Sequence, residues 1–280
     1  MCQAGTGGGA ECQKRPLLPA TQLPATQLTR GTAPAYGKGG RAMADTIRYQ
    51  VSDDVAQITL DDGKVNAMAL AFFEGLNAAL DRAERERPGA VVIAGRTGVF
   101  SAGLDLKLLP TLPPAELART MVAFGHIMLR VFTFPIPTVA AVTGHAIAGG
   151  AMLAFACDLR FMAEGPFRLH LNEVAIGLAL PTWAIVLAQA AVPPRRHTEA
   201  ILHARAFSPE EALERHIVHG VARPAERVVE EARAAAAPLA ALDQKAYAIS
   251  KSRHRAMVVK WAVEQLEAEI GALPSRATVK

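Results

Sequence analysis

The stretch TVAAVTGHAIAGGAMLAFACDLRF, residues 138–161, decides the fold of this chain. It begins with a short apolar run, and a second one starts at residue 159; such runs are typical of strands buried on both faces of a parallel sheet. The alanine-rich part between them predicts a helix, yet it contains the adjacent glycines Gly149 and Gly150. Because glycine in a helix costs about 1 kcal/mol relative to alanine, the pair indicates a sharp turn, the close approach of another group, or tight helix packing.

The segments around this stretch continue the alternation of strands and helices. Upstream, the sequence predicts a strand and turn over 48–62, a helix over 69–87, a buried strand over 90–95 and a helix over 114–134. Proline and glycine stop these helices. Strands that alternate with helices across the first two thirds of the chain predict an α/β fold with a largely parallel sheet. The last third is predicted to be helical, over 181–192, 195–205, 208–217 and about 241–272.

This pattern predicts three parts of the chain. An α/β core is expected over residues 45–235, and a helical C-terminal region that carries an oligomer interface over 236–280. Residues 1–44 are rich in Gly, Pro, Thr and Gln and repeat PATQL at 19–23 and 24–28. They predict a disordered extension, or a start called too far upstream with Met43 as the working start. A targeting peptide stays open, whereas a secretory signal lacks the apolar stretch that it needs.

The composition is that of an ordinary globular protein and excludes several classes. Of the 280 residues, 51% are apolar and 20% are charged, and the formal net charge is +4. Basic residues are interspersed with acids, so we expect no nucleic-acid partner, while a small anionic ligand is compatible. No uninterrupted apolar run reaches the roughly 18 residues of a membrane helix, and three cysteines without a CxxC pair predict no metal site. We expect a cytoplasmic protein.

Two predicted strands end in small-residue loops that suit a ligand site. The strand over 90–95 runs into RTGVFSAGLDL, and the strand over 138–144 runs into the glycine pair. Ligands bind at the carboxyl ends of strands in open α/β sheets. Free N–H groups at helix starts carry partial positive charge, and two of them aimed at one point would hold a developing oxyanion.

Glu173 is the candidate acid or base, because its neighbours in RLHLNEVAIGLALP are almost all apolar. Apolar surroundings raise the pKa of a carboxyl group, which is what a general base near neutral pH requires. A helix cap or a salt bridge is the alternative role for this residue. Asp105 and Asp158, near strand ends, are expected to make structural hydrogen bonds by default.

Five segments in order resemble the crotonase (enoyl-CoA hydratase/isomerase) superfamily: VNAM (65–68), VFSAGLDL (99–106), residues 135–161, LNEVAIGLALP (171–181) and SPEEALERHIVHGVA (208–222). The resemblance implies a spiral of ββα repeats with a helical C-terminal region that builds homotrimers, often paired into hexamers. It also implies a coenzyme A thioester as substrate, with no further cofactor.

The resemblance also assigns roles to individual residues. The two oxyanion-hole amides are expected at Leu104 and Gly149. Contacts to the substrate and to coenzyme A are expected from the turn at Lys64, Val65 and Ala67, from the loop residues Ala102, Gly103, Leu104, Asp105 and Leu106, and from Lys251. Four apolar residues at helical spacing either line an acyl tunnel or belong to the core: Phe124, Met128, Phe132 and Trp183.

One departure from the family pattern bears on the reaction. Hydratases of this family use two glutamates to hold the attacking water; one position is Glu173, but the other is occupied by Met152. A thioether is at best a weak acceptor. The chain therefore resembles the single-glutamate branch, the 3,2-trans-enoyl-CoA isomerases of fatty-acid β-oxidation. Alternatives are a hydratase or another thioester reaction with His145 or His170 as base, and a non-catalytic member that binds a CoA ester or RNA.

Overall fold

The computed structural model describes residues 46–271. The strands run, in chain order, over Ile47–Ser52 (β1), Val55–Leu60 (β2), Ala67–Met68 (β3), Ala90–Ala94 (β4), Gly98–Ser101 (β5), Gly103–Leu104 (β6), Thr138–Val142 (β7), Gly144–Ile147 (β8), Leu159–Ala163 (β9), Leu169–His170 (β10) and Gly220–Ala222 (β11). The α-helices run over Leu70–Glu86 (α1), Pro114–Thr133 (α2), Gly149–Ala156 (α3), Thr182–Ala191 (α4), Pro209–Glu214 (α5), Val228–Ala240 (α6) and Gln244–Gly271 (α7).

The main sheet has six strands in the order β1-β2-β4-β7-β9-β11. Only the pair β1 and β2 is antiparallel, and the other neighbours are parallel. The segment predicted as one strand over 48–62 is a hairpin, because Asp53 and Asp54 both have positive φ, 50° and 58°. Two such residues make the tight turn whose twist matches a β-hairpin.

Short strands form a second layer and give the fold its repeat. A three-stranded parallel sheet has the order β10-β8-β5, and β3 pairs with β6. A strand of the main sheet is followed by a short strand and then by a helix in β2–β3–α1, β4–β5–β6–α2 and β7–β8–α3. This succession is the predicted spiral of ββα repeats within an α/β fold, and the sequence stretch that decides the fold is one complete repeat.

Both faces of the main sheet are buried, which explains the continuous apolar runs. In β4, Val91 and Ile93 face the large core shared with α1, α2 and α3, whereas Val92 faces a smaller core beneath α6. The large core contains Phe73, Phe124 and Trp183 in contact, with ring centroids 5.3 and 4.8 Å apart. Phe124, Met128, Phe132 and Trp183 all belong to this core.

The C-terminal third differs from its sequence-based description in two places. Residues 195–205 form a 3-10 turn (Pro194–Arg196) and a π-helical turn (Thr198–Leu202) instead of one α-helix. Helix α6 packs on β4 and β7 through Ala232 and Ala236, so the boundary drawn at 235/236 falls inside a helix of the core.

Helix α7 packs against α2 and α4, with Ala262 and Leu266 buried in the large core. The extension predicted over residues 1–44 lies outside the described residues. Within residues 46–271, no helix is long and apolar enough to cross a membrane.

Candidate active site

The glycine pair lies at a sharp turn between β8 and α3. Ala148 has φ 52° and ψ −120°, a conformation that residues with a Cβ rarely adopt. Two hydrogen bonds hold it: its amide donates to the carbonyl of His170, and its carbonyl accepts from Met152, both at 2.9 Å. Gly149 is the first residue of the helix, so its N–H has no partner within the helix and points outward.

A second main-chain amide comes from the loop between β5 and β6. Ser101 Oγ donates to the carbonyl of Asn66 at 2.7 Å and accepts from the amide of Gly103 at 3.1 Å. Between the paired strands β6 and β3, the Asp105 amide donates to the Met68 carbonyl at 2.9 Å. Because successive amides of a strand point to opposite sides, the Leu104 amide faces away from β3.

Glycines allow these two loops to meet. A Cβ on Gly103 would lie 2.8 Å from the Gly149 nitrogen, and Gly103 has φ 82°. A Cβ on Gly149 would lie 3.0 Å from Met68 Sδ and from Phe124 Cζ. A Cβ on Gly150 would collide with the Ser101 carbonyl. The glycine pair therefore serves both a turn and a close approach of two backbones.

Glu173 lies in the pocket that the two loops enclose. The pocket has a volume of about 70 Å³ and is lined by Ala102, Leu104, Leu106, Ala148, Gly149, Asn172, Glu173, Ile176 and Leu178. Glu173 is 8% exposed. Its Oε2 is buried without a hydrogen-bond partner among the described residues. Within that part of the chain, Glu173 is the one acidic residue of the lining.

The environment of Glu173 suits a proton acceptor. Burial raises the pKa of its carboxyl group, and the main-chain amides of Glu173 and Asn172 offset only part of that rise. The residue precedes a 3-10 turn, and its carbonyl accepts from the Leu178 amide at 2.9 Å. The position of the carboxyl group is therefore fixed by local backbone hydrogen bonds, while one carboxyl oxygen stays available to a ligand.

The turn predicted to contact coenzyme A lies beside this pocket. The Ala102 amide donates to the Val65 carbonyl at 3.0 Å, and Ala67 pairs with Gly103 in the short sheet. Lys64 is exposed on the same turn, where its amide donates to Asp62 at 2.7 Å. The structure thus places Val65 and Ala67 in backbone contact with the loop that carries Leu104, although neither residue lines the pocket itself.

Two predicted ligand contacts lie elsewhere. The Asp105 carboxylate is not part of the pocket lining; it accepts from the amides of Lys107 and Leu108, both at 3.0 Å, and caps the loop after β6. Its role is the structural one that a strand-end aspartate has by default, because these two bonds hold its carboxylate.

Lys251 is buried on α7, where its ammonium group donates to Asp158 at 2.7 Å. Asp158 follows the C-terminal end of α3, whereas the oxyanion amide is at the N-terminal end; the eight-residue helix is about 12 Å long. Lys251 is therefore held in an ion pair and is absent from the lining of this pocket, while its contact with coenzyme A stays a prediction.

The two histidines considered as alternative bases do not line the pocket. His145 Nδ1 accepts from the Arg168 amide at 3.2 Å, and its ring packs edge-on against Phe167. Burial lowers the pKa of His170, and its carbonyl supports Ala148 at the entry to α3. Both residues support the backbone near the site.

Sequence reasoning missed four residues of the lining, namely Ala148 before the glycine pair and three residues around Glu173. Asn172 has a buried Oδ1 without a partner among the described residues, and Ile176 and Leu178 are large apolar side chains at the pocket mouth. Their proximity to Glu173 in sequence was the available signal, since a short turn after an active-site residue keeps its neighbours near the ligand.

Substitution of Gly103 tests whether the amides of Leu104 and Gly149 form the predicted oxyanion hole. Gly103→Ala is expected to lower kcat about a hundredfold, because the new Cβ displaces the Gly149 amide and one donor is lost. Gly98 is the matched control, since it has the same φ of 82° but open space around its Cα. Gly98→Ala should cost similar backbone strain in urea unfolding and leave kcat unchanged. Equal loss of kcat in both variants would contradict the assignment.

Comparisons with known proteins agree with this geometry. Residues 50–279 match the family model "Enoyl-CoA hydratase/isomerase". The human protein enoyl-CoA delta isomerase 1, mitochondrial, is 31% identical over 261 residues, which are 91% of this chain and 86% of that protein.

Two solved structures bear different names. One protein of Mycobacterium tuberculosis is named an enoyl-CoA isomerase in one solved structure and a probable enoyl-CoA hydratase in another. The first of these structures has 35% identity and a TM-score of 0.77, covering 82% of this chain and 100% of that one. An enoyl-CoA hydratase of Mycobacterium marinum has 35% identity and a TM-score of 0.75, covering 81% and 98%. The extent of the family match places the chain: it belongs to the enoyl-CoA hydratase/isomerase family.

Proposed function

We propose that this protein is an enoyl-CoA isomerase that converts a 3-enoyl-CoA into the 2-trans-enoyl-CoA. The observation that carries the proposal is the single buried carboxyl group of Glu173 in a pocket that also presents the amides of Leu104 and Gly149. Such a pocket has one group to move a proton and two donors to stabilise negative charge on a thioester oxygen.

The proposed reaction needs no other reactant. With the thioester oxygen accepting from the two amides, the Glu173 carboxylate removes a proton from C2. The electron pair of the broken C–H bond forms a double bond between C1 and C2, and the carbonyl π pair moves onto the oxygen. This gives a dienolate, with double bonds at C1–C2 and C3–C4, whose oxygen is held by the amides. The protonated Glu173 then returns the proton to C4, the carbonyl reforms, and the double bond lies between C2 and C3. One carboxyl group suffices because it is regenerated in each turnover.

Position 152 bears on the distinction from a hydratase. Met152 is buried in the large core and does not line the pocket. The wall therefore lacks the second carboxylate with which related hydratases hold water. The relative named as an isomerase supports the same preference.

A hydratase is the second candidate, and one observation favours it. The unpartnered Oδ1 of Asn172 is an acceptor in the same pocket as Glu173, and a water molecule needs two or more polar partners to be held. Asn172 and Glu173 together would then anchor the attacking water in place of two glutamates.

Parallel assays separate the two candidates. The purified protein is supplied with 3-enoyl-CoA and with 2-trans-enoyl-CoA of the same chain length, and both isomerisation and hydration are followed. The proposal expects isomerisation to be the faster reaction by a wide margin. Rapid hydration without isomerisation would overturn it in favour of the hydratase.

The raised pKa of Glu173 predicts how activity and stability depend on pH. The base acts in its ionised form, so kcat/KM should fall with acid, with a midpoint above the ordinary glutamate value of 4.5. The Glu173 carboxyl group binds a proton more tightly in the native state than in the unfolded state. As pH rises above 4.5, this residue therefore lowers the free energy of unfolding. Glu173→Gln should therefore be more stable than the wild type at neutral pH. A midpoint at or below the ordinary value would contradict the burial argument.

The proposal includes an acyl-CoA substrate from fatty-acid β-oxidation and assembly as a homotrimer or a dimer of trimers. Assembly is supported by large apolar side chains that are exposed along α7: Ile249, Met257, Val258 and Trp261. Ala262 and Leu266 of the same helix pack in the core of their own chain, whereas these four side chains are exposed and available to a second copy.

A further inference from the structure

The enclosed part of the pocket is too small for a long acyl chain. Its volume of about 70 Å³ corresponds to roughly two water-sized groups. Behind Gly149 the space is filled, because Met68 Sδ and Phe124 Cζ would lie 3.0 Å from a Cβ at that position. Phe124 in turn packs on Phe73 and Trp183. A pocket of this size has room for the reacting carbons of an acyl group, and a longer chain would extend beyond it.

Three large apolar side chains surround the mouth of the pocket and are half exposed. Leu106 is 55% exposed, and Ile176 and Leu178 are each 49% exposed. All three belong to the pocket lining. We call them the apolar rim. Single exposed apolar residues are normal, but a group that borders a pocket marks a surface that a ligand covers.

Backbone hydrogen bonds hold the rim at a fixed position relative to the base. The Ile176 amide donates to the carbonyls of Asn172 and Glu173, at 3.2 and 3.1 Å, and the Leu178 amide donates to that of Glu173 at 2.9 Å. Gly177, with φ 78°, completes the turn. The residues that follow the base are therefore placed to receive the carbons that follow the reacting ones.

Another residue of the pocket lining contacts the turn that the family resemblance assigns to coenzyme A. Ala102 lines the pocket and is hydrogen-bonded to Val65 on the turn assigned to coenzyme A. If the coenzyme leaves past Ala102, the acyl chain leaves along the wall formed by Ile176 and Leu178.

We propose that the acyl chain of the substrate passes over the apolar rim, so that the enzyme prefers medium- and long-chain enoyl-CoAs over short ones. The inference rests on the proposed function for its substrate class. C1 is at the amides and C2 to C4 face Glu173, so carbons from about C5 onward reach the rim and cover apolar surface that is otherwise in contact with water.

The experiment measures binding rather than turnover. The dissociation constants of butanoyl-CoA, octanoyl-CoA and dodecanoyl-CoA are determined by calorimetry for the wild type, Ile176→Ser and Leu178→Ser. A fully buried methylene raises affinity about fourfold, and contact on one side about twofold, so octanoyl-CoA should bind the wild type roughly tenfold more tightly than butanoyl-CoA. In the rim variants this ratio should fall to about threefold or less, with butanoyl-CoA little affected.

Leu202→Ser is the matched control, because Leu202 is 60% exposed and lies outside the pocket. It should keep the wild-type ratio. Equal weakening of all three ligands in the rim variants would overturn the proposal, since the rim would then contact coenzyme A. An unchanged ratio with a changed molecular mass would also overturn it and show an interface between copies. Chain-length-dependent binding without isomerisation would leave the rim assignment standing and reject the proposed function.

Discussion

Glu173→Gln is expected to lower kcat for isomerisation of a 3-enoyl-CoA about a thousandfold, since general base catalysis contributes two to four orders of magnitude. The substitution keeps the size and shape of the side chain but removes the group that accepts the proton. In the proposed mechanism Glu173 moves a proton and does not hold the coenzyme, so the dissociation constant of a saturated acyl-CoA should change by less than about threefold.

Glu226→Gln is the control for this prediction. Glu226 is an exposed carboxylate on a short turn that packs against α6, β9 and β11 and does not line the pocket. It should retain wild-type turnover and binding. The assignment of Glu173 as the base fails if its glutamine variant turns over within a few-fold of the wild type while remaining folded.

Asp158→Ala is expected to lower the free energy of unfolding by about 3–5 kcal/mol, because it leaves buried cations without their partner. Asp158 accepts from Lys251 at 2.7 Å, Arg255 at 2.9 Å and the Tyr247 hydroxyl at 2.8 Å, and it also binds the start of β7 through Thr138. Burial alone would raise the pKa of Asp158, but Lys251 and Arg255 outweigh it and lower the pKa. This contribution to stability should therefore persist above the ordinary pKa of aspartate and be lost as acid protonates the group.

Urea unfolding measures this effect, and Glu164→Ala provides the comparison. Glu164 pairs with Arg223 at 3.6 Å on the surface, and removal of such a pair should cost less than about 1 kcal/mol. Asp158→Asn, which keeps hydrogen-bonding capacity, should lie between the two. A cost for Asp158→Ala no larger than that for Glu164→Ala would contradict the view that this cluster ties α7 to the core.

The long elements of the fold could be predicted from the sequence because several local signals agreed. Helix α1, predicted over 69–87, is Leu70–Glu86, and the buried strand over 90–95 is Ala90–Ala94. Apolar periodicity fixes the interior of such elements, and Pro88 fixes where one ends and the other begins. The parallel sheet followed from the alternation of such strands with helices along the chain.

The short elements could not be predicted in the same way. GHAI at 144–147 is a strand of the second layer, but four residues carry no periodicity that separates a strand from the approach to a helix. The hairpin turn at Asp53 and Asp54 was predicted as part of one strand, because neither residue is glycine, the usual signal of such a turn. Helix α6 was missed, although its alanines suit close packing on the sheet, since its charged first turn and Pro238 give no clear apolar face.

The candidate site could be predicted where a residue stands out from its neighbours in the sequence. Glu173 stands out as an acid among apolar neighbours, and the glycine pair indicates a close approach, so both are found from local sequence. Lys251 and Asp105 were assigned by resemblance alone, and the structure shows hydrogen bonds that occupy both side chains. A sequence reports that a charged residue is present, but its partner depends on which helix folds against it.

The central claim is that one carboxyl group faces a thioester whose oxygen is held by two main-chain amides. A structure of the protein with octanoyl-CoA, a saturated ligand that cannot isomerise, tests it most directly. We expect the thioester oxygen within about 3 Å of both the Leu104 and Gly149 nitrogens, with C2 beside the Glu173 carboxyl group. An oxygen that contacts neither amide, or a Glu173 side chain turned away from C2, would contradict it.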